Sequence, residues 1–240
     1  MKLEIEKIPK KITPCPITEA VVELRFESEV PADLVSALIY NGVRTFFPSL
    51  EKLPVMELPA AIRDSDPNLR FSPHYKASNK DFTLQIGPRS FSVFCPKEYK
   101  GWNQFFDQIT SVYNVINQLS VINKPIRIGL RYISFFEKIN IFEKIKIELN
   151  LASISLINEN NVLRTEFNQK EFKHTLQIAN GALFNNRVKG SSIDIDVSKE
   201  GSPIVLSDFL KLVEQAHEAE KQLFFGILKD DFLKEFNPEF

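Results

Sequence analysis

Two long stretches of helical periodicity each close a run of short alternating segments, and that order limits the fold more than any other feature of the chain. In the first stretch Trp102, Phe105, Phe106, Ile109, Val112, Tyr113, Ile116 and Leu119 recur at helical spacing behind Gly101, predicting a helix with a broad buried stripe. In the second, Ser207 is placed to cap a helix that carries Leu210, Val213, His217, Leu223 and Phe224. Strands gathered ahead of a helix, rather than alternating with helices, predict an α+β fold of mostly antiparallel sheet packed by long amphipathic helices. The run occurs twice. One compact unit over 1–240 is therefore expected, with a pseudo-duplication into 1–123 and 124–240 and a boundary at Lys124-Pro125.

Within the first half, residues 17–26 have period two. Ala20, Val22, Leu24 and Phe26 take one face, while Glu19, Glu23 and Arg25 share the other with Val21, as a half-buried strand requires. Pro31 opens a helix with the stripe Leu34, Leu38, Ile39, Val43 and Phe46, which Pro48 ends. Strands are expected at 53–58, 69–75, 82–86 and 90–95, the last two joined as a hairpin by Gly87-Pro88-Arg89. In the second half the expected strands are 126–132, 145–149, 172–179 and 192–197. Asn180-Gly181 reads as a turn, and Asp230 or Asp231 as the start of a short terminal helix.

A chain of 240 residues, 43% hydrophobic, buries a substantial core without disulfides or metals. Thirty basic residues against 31 acidic leave a net charge of −1, so no basic arm points to nucleic acid. Cys15 and Cys95 lack the close spacing of a metal site and read as isolated reduced thiols. Lys2, Glu4, Glu6 and Lys7 stand where a signal peptide needs an apolar run, and no apolar stretch is long enough to span a bilayer. A soluble cytoplasmic protein is the expectation. Its 21 Phe against five Tyr and one Trp suit core filling first and a Phe-lined cavity for an apolar ligand second.

Several chemistries are excluded residue by residue. The eight glycines are too scattered for a phosphate loop, and no G-x-S-x-G elbow exists. His217-Glu218-Ala219-Glu220-Lys221 ends in lysine where a zinc helix needs its second imidazole, and reads as a solvated or interfacial helix face. A calcium loop starting at Asp194 would need glycine at Lys199 and a bidentate acid at Val205. His74 and His174 read as structural or surface histidines. No catalytic residue, cofactor or metal ligand is assigned.

One constellation remains. Glu19, Glu23 and Arg25, then Arg127 and Arg131, then Asp194 and Asp196 lie on the polar faces of three expected strands. Residues two apart on a strand point the same way, about 7 Å apart. If the strands are neighbours, these charges form a mixed ionic face. That face is a lattice of cross-strand pairs, a binding patch with Arg127 and Arg131 as donors to an anionic or polar partner, or a metal site on Asp194 and Asp196.

The stretch from Pro16 to Phe26, together with Gly129-Leu130-Arg131-Tyr132-Ile133 and Ile193-Asp194-Ile195-Asp196-Val197, resembles three signatures of a sporadically distributed bacterial family of uncharacterised proteins. The resemblance implies a full-length, single-unit cytoplasmic protein and supplies no activity. Patchy distribution suits an accessory gene in defence or stress. The leading expectation is a non-enzymatic binding or interaction protein using the charged face or an apolar groove beside the long helices. Its partner is a protein or a small polar ligand, and a homo-oligomer is compatible. The alternatives are a metal-assisted hydrolase at Asp194 and Asp196 and a carrier of an apolar ligand.

Overall fold

The computed structural model describes residues 7–67, 69–96, 98–184 and 187–240, so the charged stretch 1–6 lies outside the described residues. It combines helices with a large antiparallel sheet, the α+β class expected. No helix among the described residues is long and apolar enough to cross a membrane. The chain divides into two compact units. One is Glu19–Leu130 with Lys199–Val213; the other joins the residues up to Thr18 to Arg131–Ser198 and Glu214–Phe240. The division does not fall at Lys124-Pro125, because a 14-residue strand starts there and runs on to Glu137.

The first unit is built from β1 (Ile17–Glu27), α1 (Ala32–Val43), β2 (Ser49–Lys52), α2 (Ala60–Ser65), β3 (Tyr75–Ser78), β4 (Thr83–Ile86), β5 (Ser90–Cys95), α3 (Trp102–Gln118) and the start of β6 (Lys124–Glu137). Its strand order is β2-β3-β4-β5-β1-β6. The alternation in β1 does what it promised: Ala20, Val22, Leu24 and Phe26 are fully buried. The Gly87 amide closes the β4–β5 hairpin on the Ser90 carbonyl at 2.8 Å. In α1 the buried stripe is Val35, Ser36, Ile39 and Val43, while Leu34, Leu38 and Phe46 are exposed. The stripe is rotated because α1 packs on α3 at Gly42, where a Cβ would stand 2.7 Å from Val115 Cγ1.

Two strand expectations fail at prolines. Residues 53–58 form a 3-10 turn at Pro54–Glu57 instead, since Pro54 has no amide for a ladder and suits the first turn position. Residues 69–73 are held in turns between Pro67 and Pro73, and the strand begins only at Tyr75.

The second unit takes the rest of β6 with β7 (Asn150–Leu151), β8 (Ile154–Ser155), β9 (Val162–Gln169), β10 (Phe172–Phe184) and, as far as Ser198, β11 (Val188–Glu200). It also takes most of α4 (Phe209–Ile227) and all of α5 (Asp230–Lys234). Its sheet order is β6-β11-β10-β9. Leu176 and Ile178 of β10 and Ile193, Ile195 and Val197 of β11 form the buried face. Asn180-Gly181 is not a turn. β10 runs through it, and the ladder to β11 shifts between Ala179 and Ala182 with Gly181 at φ +68°, a bulge in which glycine takes the left-handed residue.

Residues 145–149 are not a strand either. Ile145 makes one isolated bridge to Leu228, so the alternation there records one-sided burial without a ladder. Ser207 lies inside a 3-10 turn, Leu206–Asp208, and α4 starts after it at Phe209. Cys15 is exposed and Cys95 is buried.

Candidate functional site

The charged strand faces resolve into ion pairs, one group in each unit. In the first unit Glu23 Oε2 accepts from Arg25 Nε and from Arg127 Nη1, both at 2.8 Å, and Arg127 Nε stands 3.8 Å from Glu200. The Arg127 guanidinium folds back over Gly129, where any Cβ would collide with it. Glycine here lets the arginine lie flat along its own strand and become mostly buried. Arg25 lies 5.3 Å from the Phe71 ring centroid. Glu27, at the end of β1, holds Arg70 and Arg89. Glu19 is half-buried at the head of β1.

In the second unit Arg131 grips Asp194 with two parallel bonds, Nε to Oδ1 at 2.7 Å and Nη2 to Oδ2 at 2.5 Å. The β10–β11 register sets Asp194 opposite Gln177 and Asp196 opposite Thr175. Exposed ion pairs of this kind contribute well under about 1 kcal/mol each, more when bidentate. Both Asp194 oxygens are occupied by Arg131, so a cation there would have to displace a guanidinium. No group of three or more His, Cys, Asp or Glu placed to hold a metal occurs among the described residues.

A second site lies on the other face of the same unit. A groove of about 250 Å³ runs between the β9–β10 turn and α4. Lys170 and Glu171 of the turn, Phe172 and His174 of β10, and Glu214 and Glu218 of α4 line it. The two helix carboxylates face it together because residues four apart share a helix face. His174 is 1% exposed, stacks on Phe167 at 5.0 Å with 2° between the rings, and has no hydrogen-bond partner at either ring nitrogen. Burial holds its pKa below the usual imidazole value, so at neutral pH it carries one donor and one acceptor, both unused. Each such group costs about 1–3 kcal/mol. Sequence reading placed His174 correctly on a strand but had no signal for the groove, whose walls come from segments some forty residues apart.

On the helix face expected to be solvated or interfacial, near the middle of α4, His217 and Glu220 are buried, at 8% and 6% exposed, while Glu218 is exposed. The Tyr132 hydroxyl and His217 Nδ1 are 3.2 Å apart. Burial, helped by the charge of Lys221, pushes His217 down to about 3. Burial pushes Glu220 up to about 8, Lys221 offsetting only part of it. The helix thus carries a neutral imidazole and a largely protonated carboxyl inside the unit.

The fold and its sites define an α+β protein with paired charges on its strand faces and a polar groove beside its last long helix. No protein-family model matches the chain, and no curated protein matches it.

Proposed function

We propose that this is a non-catalytic binding protein that seats a small, polar, positively charged ligand in the groove between the β9–β10 turn and α4. The observation that carries the reading is His174: a buried imidazole in the groove wall with both nitrogens unpaired. A cationic ligand donates an N–H to the unprotonated ring nitrogen and so supplies one of the two missing partners. The sign of the ligand follows from the lining, where Glu171, Glu214 and Glu218 outnumber Lys170. A neutral histidine adds hydrogen bonding without repelling a cation.

Titration with methylammonium, putrescine and guanidinium, followed through the histidine side-chain NMR signals, tests this. The expected outcome is a saturable shift of the His174 signals with those of His217 unmoved, lost when Glu214 and Glu218 are both changed to Gln. Equal shifts of both histidines, or none up to tens of millimolar amine, would sink the reading.

A second reading keeps the charged face as the contact surface. It is favoured by Arg131, which is fixed by Asp194 yet remains 46% exposed, a preorganised cation on a strand. Arg131→Ala at unchanged stability should then weaken capture of an anionic partner, whereas the groove reading expects no effect.

A further inference from the structure

The sheet has two outer strands, and they are guarded very differently. β2 has four residues, stands between Pro48 and Pro54, and carries Glu51 and Lys52. Short length, flanking prolines and charge are the usual protections of an edge. β9 has eight residues with no proline or glycine, and its ladder to β10 runs without a shift from Gln169 opposite Phe172 to Val162 opposite Ala179. Val162, at its start, is 72% exposed.

The ladder also fixes which main-chain groups of β9 are turned outward. The Asn180 amide donates to the Asn161 carbonyl at 3.2 Å, continuing the register of the β9–β10 ladder. Hydrogen-bonded pairs recur every second residue, so Leu163, Thr165 and Phe167 turn their amides and carbonyls toward β10. Val162, Arg164, Glu166 and Asn168 turn theirs to the open side.

Consider two copies of this edge pairing antiparallel about a two-fold axis. Outward residues must meet outward residues, so the axis passes through a residue of β9. An axis at Arg164 sets arginine against arginine, and one at Glu166 sets glutamate against glutamate. An axis at Thr165 sets Arg164 against Glu166 twice, Thr165 against Thr165, and Leu163 against Phe167, all favourable cross-strand pairs. Axes further out shorten the ladder. Within one strand Arg164 Nη2 already lies 2.5 Å from Glu166 Oε1, and Lys173 Nζ lies 2.9 Å from Oε2, so the pairing would join two existing ion pairs into one cluster. Lys173, with Arg164 second, already holds the Glu166 carboxyl below the usual carboxylate range, which keeps it charged for such a contact.

We propose that the protein forms an isologous dimer through antiparallel β9–β9 pairing with Thr165 on the two-fold axis. The occupant of the open edge is a second copy of this chain, because its charge pattern is complementary to itself in one register alone. This inference stands apart from the groove reading, since it needs neither His174 nor a ligand.

The test uses the full chain and its mass in solution by sedimentation. Wild type should sediment as a dimer that dissociates on dilution. R164E and E166R should each raise the dissociation constant at least tenfold, because each places like charges across the axis. An equimolar mixture of the two variants should recover a dimer, since every cross-strand pair in the heterodimer is again arginine against glutamate. Recovery also shows that both variants are folded. A wild type monomeric at 100 μM, single variants that remain dimeric, or a mixture that stays monomeric would each overturn the proposal.

Discussion

His174 and His217 are both buried in the same unit and both held neutral by burial, yet they are satisfied differently. His217 has the Tyr132 hydroxyl at 3.2 Å, whereas neither ring nitrogen of His174 has a partner. A buried imidazole that completes a hydrogen bond specifies the core; one that completes none leaves a deficit that something outside the chain can fill. The contrast separates a structural histidine from a candidate binding histidine without reference to chemistry elsewhere.

Acidification should expose the contrast most strongly. The folded pKa of His217 is about 3, below the ordinary 6.5, so between those values the unfolded chain binds a proton that the folded chain does not. Stability therefore falls as pH is lowered from 6.5 toward 3, by up to about 4 kcal/mol from this group. Urea unfolding of His217→Leu across that window should give a flatter profile by a similar amount. The same substitution at His174, whose pKa burial also lowers, should flatten the profile in the same direction.

At the alkaline end the neighbouring Glu220 supplies the next effect. Its folded pKa of about 8 lies above the unfolded value, so its contribution is fully present below pH 4.5 and is lost as pH rises to 8. Glu220→Gln should raise stability at pH 7 by up to about 3 kcal/mol and leave pH 4 nearly unchanged. Equal gains at both pH values would show that charge is not the cause.

The smallest effect is the sharpest discriminator. At pH 8, His217→Leu should cost about 1–2 kcal/mol by losing its hydrogen bond, whereas His174→Leu should be neutral or stabilise by about 1 kcal/mol. Paired denaturation curves decide it, and a costly His174→Leu would reclassify His174 as structural.

Sequence pattern was sufficient where a segment's burial and its pairing agree. β1 and α3 lie close to where periodicity places them, because each packs one continuous face on the core. It failed where the two part company. The alternation around Ile145 has burial without a ladder, and β9 has a ladder almost without burial, so the pattern reads as a strand at the first and gives no sign of the second. Asn180-Gly181 carries turn chemistry that the fold uses for a bulge. The charged residues of the strand faces were legible as a set, but the partner choices, Arg131 with Asp194 and Arg127 with Glu23, depend on which strands adjoin. His174 carried no sequence signal beyond its strand, because an unpaired nitrogen is a property of what surrounds it.

The proline-flanked four-residue edge β2 has a consequence for how far assembly can proceed. A sheet with two open margins can recruit copies at both and grow without limit, as fibres do. Here one margin is closed to recruitment by its own covalent chemistry, which leaves each chain a valence of one. In the proposed dimer, self-association through the other margin would be consumed in a single event and stop at two, so raising the concentration would fill the dimer and lengthen nothing.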